Sequence, residues 1–193
     1  MLMTTALILV DIQNDYFYGG ALPCVGMAQA AQRAAALLAR FRERAAPVVH
    51  VRHLAQREGA GFLVPGTRGA EIHHSVAPLD AEPVILKHFP NSFRQTDLHE
   101  RLQAAGIDTL VFCGAMSHMC IDASVRAAFD LGYRCIVVDK ACATRDLTLG
   151  GRTVAAADVH TAFMAALAQP YAQVVTDPDW VGPWPADPSG SVG

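Results

Sequence analysis

The chain has 193 residues, of which 52% are hydrophobic and 17% charged, with 15 Lys and Arg against 18 Asp and Glu for a net charge of −3. At roughly 150 residues per domain this length suits one domain with a sizeable core, and a chain so apolar and so lightly charged is not disordered. The near balance of charge excludes the basic stripe of a nucleic-acid binder, and the apolar run Ala6–Val10 is too short for a membrane span. The five cysteines are odd in number and form no Cys-x-x-Cys pair, which argues against a disulfide framework and leads us to expect reduced thiols in a cytoplasmic protein.

Short apolar runs alternate with longer amphipathic stretches. Thr5–Val10 reads as a strand buried on both faces, because its apolar run is continuous. Gly26–Arg44 carries apolar residues at helical spacing, and Pro47–Val51 reads as a second strand. The stretch 52–83 is unusually long for a loop, which points to a functional segment that covers a site or reaches a neighbouring protomer. Val84–Leu86 is a third strand running out at Lys87. Thr96–Ala105 is a helix closed by Gly106, and Thr109–Cys113 is a fourth strand. His118–Leu131 is a helix with Gly132 just beyond it. Arg134–Val138 is a fifth strand, Thr153–Ala168 a helix stopped by Pro170, and Ala172–Val175 a last strand. Residues 177–193 read as a Pro- and Gly-rich loop-like tail. Strands alternating with helices imply βαβ crossovers, hence one αβα domain over 1–193 with a mainly parallel sheet covered on both faces. Ligands of such sheets bind beyond the carboxyl ends of the strands.

Three residues stand at those ends. Asp11 follows the first strand, where a partly desolvated carboxylate needs a partner or a task; capping a turn is the structural alternative. Lys87 ends the third strand, and lysine is seldom buried unpaired; the alternative is an edge lysine reaching solvent. Together the two satisfy each other's charge. Cys120 follows Gly114 and the short turn Ala115–Met119, at the start of the next helix. A thiol there faces the positive end of the helix dipole, which lowers its pKa, and free backbone N–H groups nearby suit an oxyanion. The alternative for Cys120 is a small core residue. Cys113 and Cys135 lie within strand runs and read as core, whereas Cys24 and Cys142 fall in loops.

The segments VDIQNDY, ILKHFPNSF and CGAMSHMCIDASVRAAFDLGY resemble the isochorismatase-like cysteine hydrolases, a superfamily of small-amide hydrolases that includes nicotinamidases and N-carbamoyl amidases. VPGTRGAEIHHSVAP and VDKACATRD resemble the family as well, so the likeness runs from about Ala6 to Val175. It implies a six-stranded Rossmann-like sheet of order 3-2-1-4-5-6 and a catalytic triad of Asp11, Lys87 and Cys120. It also implies a cis peptide between Ala115 and Met116, with an oxyanion hole made by the N–H groups of Met116 and Cys120, and a homo-oligomer, dimer or tetramer. Isochorismatases proper lack the nucleophilic cysteine, so Cys120 points to a small amide, ureido, carbamoyl or lactam substrate attacked through a thioester. Nicotinamidases of the family carry an Asp-x-His metal motif after the second strand, and HVRHLAQRE here has none. A zinc-dependent nicotinamidase and a catalytically idle member acting in assembly are the alternative readings.

No cofactor or metal is expected. His50 and His53 lie three positions apart on a strand, an odd step, and so point to opposite sides, and adjacent His73 and His74 share that difficulty. His118 suggests either a Cys–His base or a residue that lines the pocket or contacts a neighbouring subunit, and Asp122 reads as structural. Gln13 and Asn14 are candidates to bind a polar substrate group, and Phe17, Phe62, Phe89 and Phe93 to wall the site.

Overall fold

The computed structural model describes residues 4–176 and 180 of the chain; the tail expected over 177–193 lies, Trp180 apart, outside the described residues. Six strands form one sheet, in which every neighbouring pair is parallel: β1 (Thr5–Val10), β2 (Val48–His53), β3 (Val84–Lys87), β4 (Thr109–Ala115), β5 (Arg134–Ala143) and β8 (Gln173–Val175). Their order, β3-β2-β1-β4-β5-β8, is the expected one with the last strand renumbered.

The period of two along each strand divides the core. Leu7 and Leu9 of β1 join Val111 and Cys113 of β4 beneath α1 (Met27–Glu43). Ala6, Ile8 and Val10 join Leu110 and Phe112 beneath α2 (Leu98–Ala104), α3 (Asp122–Asp130) and α4 (Ala156–Leu167). A strand covered on both sides has no polar face, which is why these runs are continuously apolar. Alanines 30, 31 and 34 are the face that α1 lays on the sheet, and their small side chains let helix and sheet approach closely.

Two local features depart from the sequence reading. β5 continues past Val138 to Ala143, so Cys142 is a strand residue and not a loop residue. The register explains the early expected end: Phe112 faces Val137 but Gly114 faces Cys142, so β5 bulges around Asp139 and Lys140 and changes face. Bulges of this kind re-aim side chains. Second, Thr153 does not begin a helix but belongs to a hairpin, β6 (Leu147–Leu149) and β7 (Arg152–Val154). Gly150 and Gly151 at its tip have φ of +57° and +77°, the left-handed pair that a tight two-residue hairpin requires.

The long segment 54–83 is pinned over the turn that follows β1. Asp15 accepts a hydrogen bond from Leu63 N at 2.6 Å, Asn14 Nδ2 donates to the Arg68 carbonyl at 2.8 Å, and Asn14 N donates to Glu71 O at 3.0 Å. Among the described residues no helix is long and apolar enough to cross a membrane.

Candidate active site

β1 leads directly into Asp11, which is fully buried and has φ +51°, a left-handed conformation that Asp tolerates better than most residues. β3 ends at Lys87, also fully buried, with Nζ 2.7 Å from Asp11 Oδ2. Two charges leave water here only because each neutralises the other. Lys87 further donates to the carbonyls of Phe89 and Pro90 at 3.1 and 3.3 Å. Phe89 therefore serves through its backbone, and its ring carries the Arg94 guanidinium at 3.8 Å. The Asp11 carboxylate thus bonds Lys87 and also lies against the Cys120 thiol.

β2 runs between β1 and β3 and pairs His53 with Lys87. His53 Nδ1 lies 3.1 Å from Lys87 Nζ and 3.9 Å from Asp11 Oδ2. Burial and the lysine charge hold this imidazole below its ordinary pKa, so Nδ1 is an acceptor for the ammonium. Sequence reasoning passed over His53 because strand parity was considered for β2 alone; the register with β3 is what carries it into the site.

β4 delivers Cys120. Gly114, with φ +125°, sits where a Cβ would lie 1.9 Å from Val10 O, so only glycine lets β4 turn this close to the end of β1. The Ala115–Met116 peptide is cis. A wide turn over Ser117–Ile121 follows, with Ile121 N reaching back to Met116 O at 3.2 Å; single turns of this wide kind often occur at functional sites. Cys120 is buried, and its Sγ, a carboxylate oxygen of Asp11 and a ring nitrogen of His53 lie within 4.8 Å of one another. The expected lowering of the thiol pKa is not found. Cys120 stands inside the wide turn ahead of α3; burial, then the Asp11 charge, push the thiol well up, and Lys87 only partly offsets them. Lys87 itself is raised: burial opposes its charge, and the Asp11 and Cys120 charges more than compensate.

The remaining candidates are distributed differently from the expectation. Gln13 is spent on the frame: Nε2 donates to the carbonyls of His53 and Ala70, both at 2.9 Å, while Oε1 accepts from His53 N at 2.8 Å, which leaves no amide hydrogen for a substrate. Phe17 stacks on His73 at 3.7 Å in a cleft of about 620 Å³ with Asn14 and Arg68. Phe62 is exposed, and Phe93 stacks on Tyr133 at 6.1 Å on the α2–α3 side of the sheet. His118 is not placed as the base: its Nδ1 is tied to Thr144 Oγ1 at 2.6 Å. Asp122 pairs with Arg126 at 2.9 Å, as a structural acid does. Tyr16, which sequence reasoning left out, is buried beside the reacting groups; burial and then the Asp11 and Cys120 charges raise its hydroxyl pKa.

Asp11, His53 and Cys120 form the one cluster with converging metal-ligand atoms among the described residues. The Lys87 ammonium, in contact with Asp11 and His53, already supplies positive charge there. His50 bonds Glu82 at 2.9 Å, His73 accepts from Ser75 N, and His74 packs on the His73 ring.

Residues 5–179 match the isochorismatase domain model. The Bacillus subtilis isochorismatase family protein YddQ is 54% identical over 174 residues, covering 90% of this chain and 97% of its own. Maleamate amidohydrolase of Pseudomonas putida is 31% identical over 188 residues, covering 90% and 84%. The crystal structure of an isochorismatase-family chain from Oleispira antarctica superposes with a TM-score of 0.86 at 55% identity, covering 90% and 93%. A three-layer α/β fold gathers a buried acid, lysine and thiol beyond the carboxyl ends of β1, β3 and β4. The chain belongs to the isochorismatase family.

Proposed function

We propose that this hydrolase cleaves a C–N bond of a small amide, ureido, carbamoyl or lactam compound through a thioester on Cys120. The observation that carries the reading is the fully buried Lys87–Asp11 pair, 2.7 Å apart, converging with a buried thiol. Amide hydrolysis by a related chain, maleamate amidohydrolase, supports the reaction class.

The thiol is held protonated by burial and by Asp11, so it does not wait as a thiolate. Asp11 takes the Sγ proton as sulfur attacks the carbonyl carbon. The backbone N–H groups of Met116 and Cys120 receive the oxyanion. Asp11 then passes the proton to the leaving nitrogen, and the amine or ammonia departs. Water attacks the thioester and gives a proton to Asp11; the acid is released, and sulfur recovers its proton. Lys87 keeps its own proton throughout and holds Asp11 as the anion between steps. All five thiols are free and buried, which suits a reducing, cytoplasmic setting, and we take the working form to be a homo-oligomer. The test is a panel of small amides, ureas and lactams scored by ammonia release, with Cys120→Ala alongside. The wild type should turn over at least one compound and accumulate an acyl-enzyme visible by intact mass. Full activity in Cys120→Ala would sink the proposal.

A further inference from the structure

Ser117, His118 and Met119 lie between the cis peptide and Cys120, and two of these three are tied to the far end of β5. His118 Nδ1 meets Thr144 Oγ1 at 2.6 Å. Ser117 is fully buried, with Oγ 2.8 Å from His160 Nδ1 and 3.2 Å from the Ala143 carbonyl. His160 stands on α4, and its Nε2 lies 2.5 Å from Asp139 Oδ1. Asp139 sits in the β5 bulge, with its other oxygen 2.9 Å from Lys140 Nζ. Burial alone would raise the Asp139 pKa; the bonds to Lys140 and His160 outweigh it and keep the group a carboxylate.

The order of these contacts orients His160. A carboxylate only accepts, so His160 Nε2 carries a hydrogen toward Asp139, while the single Ser117 hydroxyl hydrogen lies between two acceptors in reach, the Ala143 carbonyl and His160 Nδ1. Serine, imidazole and carboxylate are thus in hydrolase order, but the serine is sealed from solvent and can meet no substrate. A buried polar chain spanning three elements costs desolvation that alanine and leucine in the same places would avoid, whereas a fully bonded one specifies a single geometry. What it specifies here is the turn whose backbone must present both the thiol and its neighbouring N–H groups.

We propose that Asp139, His160 and Ser117 form a positioning relay that holds the Cys120 turn in its reactive geometry; the inference rests on Cys120 being the nucleophile. A misplacement of about 1 Å at such a site can cost 10²-fold in rate. Ser117→Ala and His160→Ala should therefore each slow alkylation of Cys120 by iodoacetamide, followed by peptide mass at pH 8.5, by about tenfold. On whichever panel compound the wild type hydrolyses, kcat should fall similarly with KM little changed. Because His160 acts through Ser117, the double variant should be no slower than either single. Asp139→Asn, which keeps the shape and an accepting oxygen, should cost about threefold, and nothing further in the Ser117→Ala background; that pair carries the same test if His160→Ala does not fold. Additive losses, or single variants that lose melting temperature while alkylation and kcat hold, would overturn the relay. Alkylation needs no substrate, so the relay is tested even if no panel compound is turned over.

Discussion

Replacing Lys87 by methionine isolates the ion pair on which the proposed chemistry depends. Lys87 and Asp11 are both fully buried, with Nζ 2.7 Å from Oδ2. At an effective dielectric of about 20 their gross attraction is about 6 kcal/mol. Removing the ammonium forfeits it and also strips the donor from His53 Nδ1 and from the Phe89 and Pro90 carbonyls. After relaxation, such a deletion costs about 3–5 kcal/mol. Asp11 is then an unpaired buried carboxylate and takes up a proton in the native state that the unfolded chain does not hold near neutrality. A native state that binds the extra proton loses stability as pH rises. The deficit against wild type is therefore largest at pH 7 and narrows toward pH 5, by at most about 1.4 kcal/mol per pH unit. A protonated Asp11 is no base, so ammonia release should fall by about 10²–10⁴. Denaturant unfolding at pH 5 and 7, with ammonia release at pH 7, measures each part. Lys87→Met combined with Asp11→Leu should recover most of the stability and none of the activity. A Lys87→Met protein within 1 kcal/mol of wild type, at the order of precision of such energies, with activity within tenfold, would refute the reasoning.

Gly114→Ala places a Cβ 1.9 Å from Val10 O at a φ of +125°; the clash is with backbone, so thermal unfolding should show a loss of about 3 kcal/mol or more. Glu82 is held at a pKa of about 2, first by its paired contacts with Arg42, both at 2.7 Å, and also by Leu79 N and His50. A carboxyl with a depressed folded pKa stabilises fully above its ordinary range and loses that contribution as pH falls from about 4.5 toward 2. Glu82→Gln should thus cost about 1–2 kcal/mol at pH 7, allowing for screening at a partly exposed pair, and almost nothing near pH 2. Dialysis against a chelator should leave ammonia release unchanged, because Lys87 supplies the positive charge among Asp11, His53 and Cys120; a loss restored by zinc would assign those three residues a metal.

Most of the sheet was legible because burial on both faces leaves unbroken apolar runs, and Asp11 and Lys87 were legible because a charge at the end of such a run needs a partner. What escaped the sequence was set by pairing. The β5 bulge inserts residues relative to β4, a fact about two strands, so the apolar run of β5 alone stops at Val138, and Asp139 looks like a strand end. The hairpin over 147–154 did leave a signal, the Gly150–Gly151 turn, which the helical pattern after it obscured. His53 depends on its register with Lys87, and His160 meets Ser117 only because α4 packs beside the nucleophile turn.

The thiol is where the local signal pointed the wrong way. Proximity to the start of α3 suggests a lowered pKa, worth fractions of a unit at an exposed terminus, but Cys120 is buried next to a carboxylate, and both effects raise it. The difference has a measurable consequence. A preformed thiolate reacts with iodoacetamide at a rate that levels off below neutrality; a thiol ionised only in company with Asp11 should instead alkylate slowly at pH 6 and faster at each unit up to pH 9, without a plateau. A plateau below pH 7 in the wild type would mean that the thiolate stands ready before substrate arrives. Proton transfer to Asp11 would then belong to leaving-group departure alone and not to the attack.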